Sequence, residues 1–513
     1  MAYDVYFSLN AFSSAPDDLT FQLVRGVHKE YKRSLCSALD FQLIAIALKM
    51  QELSSRTSAA YVLPISPAHR VLDRFSILPD SAEGEDGLAP LWDLLVAIVS
   101  RPVSTLKNVV DVLEDIAFSL RGSTGQAGDF AFLVQMLSSP STAEVLQEDF
   151  VQSTWPRIVS YALAMPCLFP TAQIPLLVPG NTLVLSRRQV ACLVAHQFLC
   201  SLPVPPHRAE SDAWVDFGIW YGSEQVHPVA AGMYISALCS YFSSLPELDE
   251  AEGSLEGGVR YALHSPSPPL LQRLSDLNTP LSPATAVRQD TYTTEPQILA
   301  YLGPKGGVVV SANRVIGFGK SATQEEIYVG NAPESAPAVL FTPILRDSEV
   351  LRIDGARPML RISGERRSVS WKPRREEGGV MLFMDALELD EAADGEVLPD
   401  LQGDNIRREL IKAATAFSTL SPGGDVWTPL WGCGAFCGNP GIKLPILWLA
   451  ASVANVNLNV LVAGDEMVEA FEAFVSRWSG RTAAVLRRRL EGLAARIRDD
   501  QVGVTGPEIL RLI

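Results

Sequence analysis

Hydrophobic positions follow two different rhythms along the chain. In the first part, apolar residues recur at helical spacing, most clearly over residues 88–110 and 190–202. Ser186, with Gln189 three residues later, is typical of a helix N-cap. The pattern predicts a mostly α-helical first part.

Short apolar runs alternate with helical patterns in the second part. Strands are predicted at 298–302, 308–311, 326–329, 339–341, 349–353, 359–362, 380–384 and 457–462, and helices at 406–417, 444–454 and 467–478. Strands mixed with helices in this way indicate an α/β unit. The acidic stretch 388–404 reads as a solvated loop, and Asp404 as the cap of the helix that follows it.

A proline-rich passage separates the two parts. Residues 247–296 are first acidic and then rich in proline and serine, which cannot continue a helix. We therefore expect a helical accessory region over 1–265, a connecting segment over 266–295 and an α/β domain over 296–513. Residues 1–150 are expected to add further helical structure.

Composition and charge narrow the classes of function. Hydrophobic residues make up 47% of the 513 residues and charged residues 19%, values that suit a folded globular protein. The net charge of -16 argues against direct nucleic-acid binding through a basic surface. The apolar stretch 442–464 contains Lys443, Pro445 and several asparagines, so no membrane partner is expected. The N-terminus lacks the pattern of a secretory signal.

The cysteines show no paired framework and no metal set. Seven are scattered along the chain. Cys433 and Cys437 are close, but neither a second pair nor a nearby histidine completes a zinc site. We expect no metal and no cofactor, and a reducing intracellular compartment, nuclear or cytoplasmic.

Candidate chemistry begins in the segment 311–329. Gly317 and Gly319 would let backbone N–H groups approach an anion closely, and Glu325 and Glu326 follow. Adjacent glutamates on a helix diverge by about 100° and are usually solvated, whereas at a loop-to-strand junction both can edge a cleft. There, partial burial and like-charge repulsion would raise one pKa and supply an acid near neutral pH. Composition alone favours a solvated pair.

A second candidate segment is the glycine-rich run 431–438. Small residues surround Phe436 just before a predicted helix, an arrangement that directs N–H groups and the helix dipole toward an anion. The alternative is a tight packing turn with Phe436 in the core.

These motifs together resemble those of the poly(ADP-ribose) glycohydrolases. That family's signature is a glycine-rich loop followed by Gln-Glu-Glu, matched here by Asn313, Gly317, Gly319, Gln324, Glu325 and Glu326. The run Trp431-Gly-Cys-Gly-Ala-Phe436 resembles its second characteristic turn. Further blocks resemble the family at 161–166, 174–177, 185–191, 384–387, 407–410 and 463–466. The resemblance runs in order from about residue 150 to 474.

The resemblance implies a fold, an activity and partners. The fold would be a macrodomain-like α/β/α sandwich with a mixed sheet, preceded by the accessory helical region. The activity would be hydrolysis of ribose–ribose glycosidic bonds in poly(ADP-ribose), with release of ADP-ribose. Poly(ADP-ribose) and poly(ADP-ribosyl)ated proteins would be the partners, and the chain would act as a monomer.

Roles for single residues follow from the same resemblance. Glu326 would be the general acid and then the base, and Glu325 would hold ribose hydroxyls. Asn313 would bind the departing terminal ribose. The remaining substrate-binding residues would cradle the diphosphate or line the same pocket: Gly317, Phe318, Gly319, Gln324, Gly434, Ala435 and Phe436. No metal is required, because the substrate's own diphosphate can stabilise a cationic sugar.

The chain also departs from the family pattern. Phe318 interrupts the family's glycine triplet, and only four residues separate Gly319 from Gln324. Where the family stacks a tyrosine on adenine, this chain has Glu365, and Arg366 or Arg367 beside it would stack its guanidinium on the base instead. These changes keep two alternatives open: a module that binds ADP-ribose without cleaving it, and a hydrolase of another ADP-ribosyl substrate.

Overall fold

The computed structural model describes most of the chain from residue 59 onward. The described residues are 59–79, 84, 87–121, 128–146, 148–208, 214–246, 257–288, 306–363, 369–373, 379–390, 398–462, 464–493 and 505–513. Expectations for residues 1–58, for the strand at 298–302, and for Glu365, Arg366 and Arg367 lie outside these ranges.

Helices dominate the first part, as the apolar spacing predicts. The α-helices are α1 Leu91–Val99, α2 Leu106–Arg121, α3 Ala131–Leu137, α4 Pro140–Leu146, α5 Trp155–Leu163, α6 Met165–Leu168, α7 Arg187–Phe198, α8 Pro228–Ser244, α9 Pro268–Asp276, α10 Gln324–Asn331, α11 Ala338–Phe341, α12 Gly403–Phe417, α13 Pro440–Ala454, α14 Asp465–Trp478, α15 Ala483–Glu491 and α16 Gly506–Leu512. Single turns of 3-10 helix lie at Pro206–Arg208, Phe217–Trp220, Pro333–Ser335 and Pro399–Leu401, and a π-helical turn at Phe150–Thr154. The predicted cap of α7 is confirmed, since Ser186 and Gln189 form a capping box.

Strands from both parts of the chain build the sheets. They are β1 Ala60–Val62, β2 Arg70–Val71, β3 Ala89–Pro90, β4 Gln173–Pro175, β5 Thr182–Ser186, β6 Gly258–His264, β7 Ala284–Arg288, β8 Gly307–Ala312, β9 Val350–Asp354, β10 Leu360–Ser363, β11 Ser370–Pro373, β12 Val380–Asp385, β13 Asp425–Thr428 and β14 Asn457–Val462.

The main sheet has eight strands in the order β5-β6-β9-β12-β8-β13-β14-β7. Strands β12, β8, β13, β14 and β7 run parallel to one another, while β9, β6 and β5 join in antiparallel pairs. The sheet is therefore mixed, as expected. Strands β5 and β6 come from the region assigned to the helical part, and β7 comes from the connecting segment. Strand pairing therefore crosses the predicted boundaries of the three parts. The three-part division remains a prediction.

Helices cover both faces of this sheet. Successive side chains of a strand point to opposite faces. Accordingly, Val308 and Val310 of β8 belong to the core packed against the helices of the first part, and Val309 belongs to the core packed against α12, α13 and α14. The expected α/β/α sandwich preceded by a helical region is confirmed.

Two predicted strands are wrong. Residues 326–329 lie in α10 and residues 339–341 lie in α11. Every residue from Glu325 to Asn331 is buried, so α10 has no polar face to give a helical rhythm. Its β-branched Ile327 and Val329 favour a strand locally.

The acidic stretch before α12 also differs from expectation. Asp404 lies in the first turn of α12, and Gln402 occupies the N-cap position. Asp400 is not solvated but only 4% exposed. None of the described helices is long and apolar enough to cross a membrane.

Candidate functional site

A cleft of about 430 Å³ opens where the parallel strands β8, β12 and β13 end. In open α/β sheets, ligands bind in the crevice beyond the carboxyl ends of the strands, and this volume suits a small-molecule site. The lining residues are 311–313, 321–327, Ala386, 429–436 and Leu461. The structure thus brings the Gln-Glu-Glu motif and the Trp431–Phe436 turn together as two walls of one cleft.

Helix α10 places both glutamates at its buried N-terminal turn. Glu325 is 6% exposed and Glu326 is 8% exposed. Glu325 accepts hydrogen bonds from the backbone N–H of Asn313 at 2.9 Å and of Gly317 at 3.0 Å. The pair is therefore not the solvated pair that composition alone favours.

The carboxyl group of Glu325 has a raised pKa. Burial raises its pKa to about 8, and the nearby charge of Glu326 adds to the rise. The two backbone N–H donors and the Arg208 guanidinium oppose it. Glu325 is therefore largely protonated at neutral pH in the ligand-free protein.

Glu326 reaches back to the loop that precedes its own helix. Its Oε2 accepts from the N–H of Thr323 at 2.7 Å and its Oε1 from the N–H of Ser321 at 3.3 Å. A Cβ placed on Gly319 would lie 2.5 Å from Oε1. Gly319 therefore leaves room for the carboxylate of Glu326.

Gln324 and Asn313 line the cleft but also fasten it. The side-chain amide of Gln324 accepts from Ser311 N–H at 2.8 Å and donates to the Val309 carbonyl at 3.2 Å. Both of its polar ends therefore bind the backbone of β8. Asn313 is exposed, and its Oδ1 accepts from the N–H of Val315, which leaves its amide N–H groups to donate.

The glycine loop, residues 317–319, lies next to the two carboxylates but does not line the cleft. Phe318 is 5% exposed and packs against the rings of Phe217 and Trp220, at centroid distances of 5.4 and 5.3 Å. Trp220 Nε1 also donates to the Gly319 carbonyl at 2.9 Å. The predicted contact of substrate with Gly317, Phe318 and Gly319 remains a prediction. Their positions outside the cleft lining do not favour it.

The opposite wall is the turn that contains Gly434, Ala435 and Phe436. Gly432 has a φ of +75°, and the Gly438 N–H closes the turn onto the Gly432 carbonyl at 2.9 Å. Among the described residues, no protein atom accepts a hydrogen bond from the N–H groups of Gly434, Ala435 or Phe436. These three residues line the cleft, so their N–H groups are placed to bind an anion.

Buried ion pairs support this turn from below. Lys443 Nζ lies 2.5 Å from Glu409 Oε2 and 3.4 Å from Asp400 Oδ1, and 5.3 Å from the ring centroid of Trp431. Asp400 Oδ2 accepts from the N–H of Asn439 at 2.7 Å. Burial raises the pKa of Asp400, and the charge of Lys443 opposes that rise.

A second set of ion pairs continues the network to the end of β12. Lys412 Nζ donates to Asp385 Oδ1 at 2.5 Å, and Arg408 binds both Asp385 and Glu409. The blocks 384–387 and 407–410 resemble the family in sequence, but their sequence alone predicts no role for them. The available signal was a charged residue in otherwise apolar surroundings, such as Lys443 in the run 440–454.

Two family models match this chain. The model described as "Poly (ADP-ribose) glycohydrolase (PARG), helical domain" matches residues 142–256, and the one described as "Poly (ADP-ribose) glycohydrolase (PARG), Macro domain fold" matches residues 293–470. The two models match the two parts of the chain in order. The cleft-lining motifs fall inside the second match, and Phe217 and Trp220, which pack behind the glycine loop, fall inside the first.

Single proteins show weaker likenesses. The curated "Poly(ADP-ribose) glycohydrolase 2" of Caenorhabditis elegans is 28% identical over an alignment of 176 residues, and the alignment covers 30% of this chain and 36% of that protein. The chain therefore matches only about a third of that relative's length.

Solved structures of similar proteins include two bacterial poly(ADP-ribose) glycohydrolases. The one from Deinococcus radiodurans in complex with ADP-ribose has 13% identity and a TM-score of 0.28, covering 48% of this chain and 99% of that one. The one from Thermomonospora curvata has 16% identity and a TM-score of 0.29, covering 43% and 84%. At these TM-scores the likeness supports no conclusion about the site, which rests on the contacts above. With both family models matched in order, the chain belongs to the poly(ADP-ribose) glycohydrolase family.

Proposed function

We propose that this chain hydrolyses the ribose–ribose glycosidic bonds of poly(ADP-ribose) and releases ADP-ribose. The observation that carries the proposal is one cleft with two buried adjacent carboxylates on one wall and three N–H groups that bind no described protein atom on the other. The first wall supplies acid–base chemistry, and the second supplies an anion site. ADP-ribosyl groups offer both a glycosidic bond and a diphosphate.

Glu326 is the proposed general acid. It would protonate the departing ribose oxygen and then, as a carboxylate, activate the attacking water. Its position at the end of the Gln-Glu-Glu motif supports this role, as does its place in the cleft lining. The N–H groups of Ser321 and Thr323 fix its carboxylate in one orientation.

Glu325 is the proposed partner that holds ribose hydroxyls. As a carboxylate it would accept from the substrate while the N–H groups of Asn313 and Gly317 keep it in place. Its raised pKa also makes it the rival candidate for the proton donor. The two glutamates must therefore be tested side by side.

The turn over Gly434, Ala435 and Phe436 is the proposed diphosphate site. Backbone N–H groups bind an anion without a side-chain charge, which suits a protein with a net charge of -16. Poly(ADP-ribosyl)ated proteins are the proposed partners inside the cell.

A second candidate is a module that binds ADP-ribose without cleaving it. One observation favours it: both oxygens of Glu326 accept hydrogen bonds from the loop of the same chain. These bonds tie both oxygens to the backbone of the chain itself, which leaves the carboxylate less free to approach a departing ribose oxygen.

Release of ADP-ribose from purified polymer separates these candidates. We expect Glu326→Gln to lower kcat by at least about 100-fold, the lower range for loss of a general acid. Glu325→Gln should mainly raise KM. Glu472→Gln, at an exposed position on α14, is the control and should behave as wild type.

The opposite ranking of the two variants would assign the role of general acid to Glu325.

Calorimetry with ADP-ribose completes the test. Tight binding by the wild type, together with no release from polymer, would contradict the hydrolase and support the binding module.

A further inference from the structure

Arg208 lies behind the glycine loop, although it comes from the helical part of the chain. It ends the 3-10 turn Pro206–Arg208 and is 2% exposed. Its guanidinium Nη2 donates to the Ile316 carbonyl, and its Nη1 lies 3.7 Å from where a Cβ on Gly317 would stand. The guanidinium therefore rests on the backbone at residues 316–317.

The peptide group between Ile316 and Gly317 binds both Arg208 and Glu325. The Ile316 carbonyl accepts from Arg208, and the Gly317 N–H of that same peptide donates to Glu325 Oε1 at 3.0 Å. In a trans peptide the C=O and N–H bonds point in opposite directions. One peptide group thus stands between the cation and the carboxylic acid.

This arrangement couples the two charged groups. A hydrogen bond to the carbonyl of an amide polarises the amide and strengthens its N–H as a donor. Arg208 also acts on Glu325 through space, and its charge opposes the rise in the pKa of Glu325. Burial lowers the pKa of Arg208 to about 10, which leaves it charged at neutral pH.

We propose that Arg208 is a positioning residue for Glu325, by which the helical part of the chain controls the carboxylate of the cleft. It holds the 316–317 peptide in the orientation in which Gly317 binds Glu325, and it stabilises the negative charge there. The role of Glu325 toward substrate rests on the proposed function. The link from Arg208 to Glu325 through the 316–317 peptide does not.

Two charged groups act on Glu325 from the elements around it. Glu326, on the same helix, raises its pKa, and Arg208, from the 3-10 turn, lowers it. Removing the Arg208 charge while keeping its volume should therefore raise the pKa of Glu325 further. A nearby opposite charge typically shifts a carboxyl pKa by about one to three units.

Infrared titration of the ligand-free full chain tests this directly. The protonated carboxyl band of Glu325 is identified by its loss in Glu325→Gln. We expect its midpoint to rise by about one unit or more in Arg208→Met and to stay near wild type in Arg208→Lys, which keeps the charge. Arg157→Met removes another mostly buried arginine of the helical part, ion-paired with Glu148, and should leave the midpoint unchanged.

Equal midpoints in wild type and Arg208→Met would overturn the proposal, as would equal shifts in Arg208→Lys and Arg208→Met. Circular dichroism checks folding, and Arg208→Gln provides a second neutral variant if the methionine variant does not fold.

Activity gives a separate readout. The acidic limb of kcat/KM against pH should move to higher pH in Arg208→Met, since Glu325 acts as a carboxylate. If the wild type releases no ADP-ribose, the proposed hydrolysis fails, while the infrared midpoints still decide the role of Arg208.

Discussion

The two walls of the cleft hold their buried charges in opposite ways. On the wall formed by α10, Glu325 and Glu326 are held by backbone N–H groups, two for each carboxylate. Beneath the other wall, carboxylates of Asp385, Asp400 and Glu409 are held by lysine and arginine side chains.

This difference separates carboxylates that can take part in acid–base chemistry from carboxylates that stabilise the structure. A carboxylate held directly by neutral N–H groups can gain or lose a proton without breaking a buried ion pair. A carboxylate paired with a buried lysine cannot, because neutralising one partner leaves the other charge uncompensated. The partners of a buried carboxylate thus indicate its role better than burial alone.

The largest expected effect tests the supporting wall. Lys443→Met leaves Glu409 and Asp400 without the ammonium group that lies near both. Breaking a buried ion pair from one side costs about 3–5 kcal/mol, so the free energy of unfolding in urea should fall by that amount. Lys107→Met, in an exposed pair with Asp111, is the control and should show no change. Equal behaviour of the two variants would contradict a supporting role for Lys443.

A smaller effect is expected at the chemical wall, and on activity instead of stability. The methyl group of Gly319→Ala would displace the Glu326 carboxylate, and a misplacement of about 1 Å can cost on the order of 10²-fold in rate. The displaced atom is the end of a flexible side chain, so thermal stability should change little. In Gly317→Ala the methyl group meets only ordinary contacts, at 3.7 and 3.8 Å, and kcat should stay near wild type. Equal losses of kcat in both variants would break the comparison.

The smallest effect is a fall of stability with rising pH that Glu325, on the chemical wall, should produce near neutral pH. Between the ordinary carboxyl pKa of 4.5 and the raised pKa of Glu325 of about 8, the folded protein keeps a proton that the unfolded chain has released. Stability therefore falls as pH rises, by up to about 1.4 kcal/mol per pH unit. Urea unfolding at pH 6 and pH 7 should show wild type losing stability relative to Glu325→Gln. Parallel curves would mean that Glu325 is not buried as a neutral acid.

Four strands of the main sheet could be predicted from the sequence, but β5, β6, β7 and β13 could not. The runs that became β8, β9, β12 and β14 are apolar and bounded by turn residues, and their predicted limits are within two residues of those observed. The four-residue strand β13 is too short to show a pattern. Strands β5 and β6 are separated from each other along the chain by helices and loops of the first part. No local sequence pattern therefore indicates that they pair.

The candidate site was predictable as motifs but not as contacts. The Gln-Glu-Glu motif and the Trp431–Phe436 turn are visible as strings of residues. Lys443, however, meets Glu409 and Asp400 across 34 and 43 positions of the chain, and only folding reveals such pairs. Phe318 likewise packs with Phe217 and Trp220, about 100 residues away in sequence, which no local pattern indicates.

Strand β6 has a consequence for how this protein can be divided. It falls between the two family matches, which end at 256 and resume at 293, yet it pairs with β9 along five residues. A fragment that began after β6 would expose the backbone N–H and C=O groups of β9 as a bare sheet edge. Bare edges recruit strands from other copies and aggregate. Truncation between the two family matches would therefore produce a fragment prone to aggregation. The helical part and the macrodomain should be expressed together as one chain.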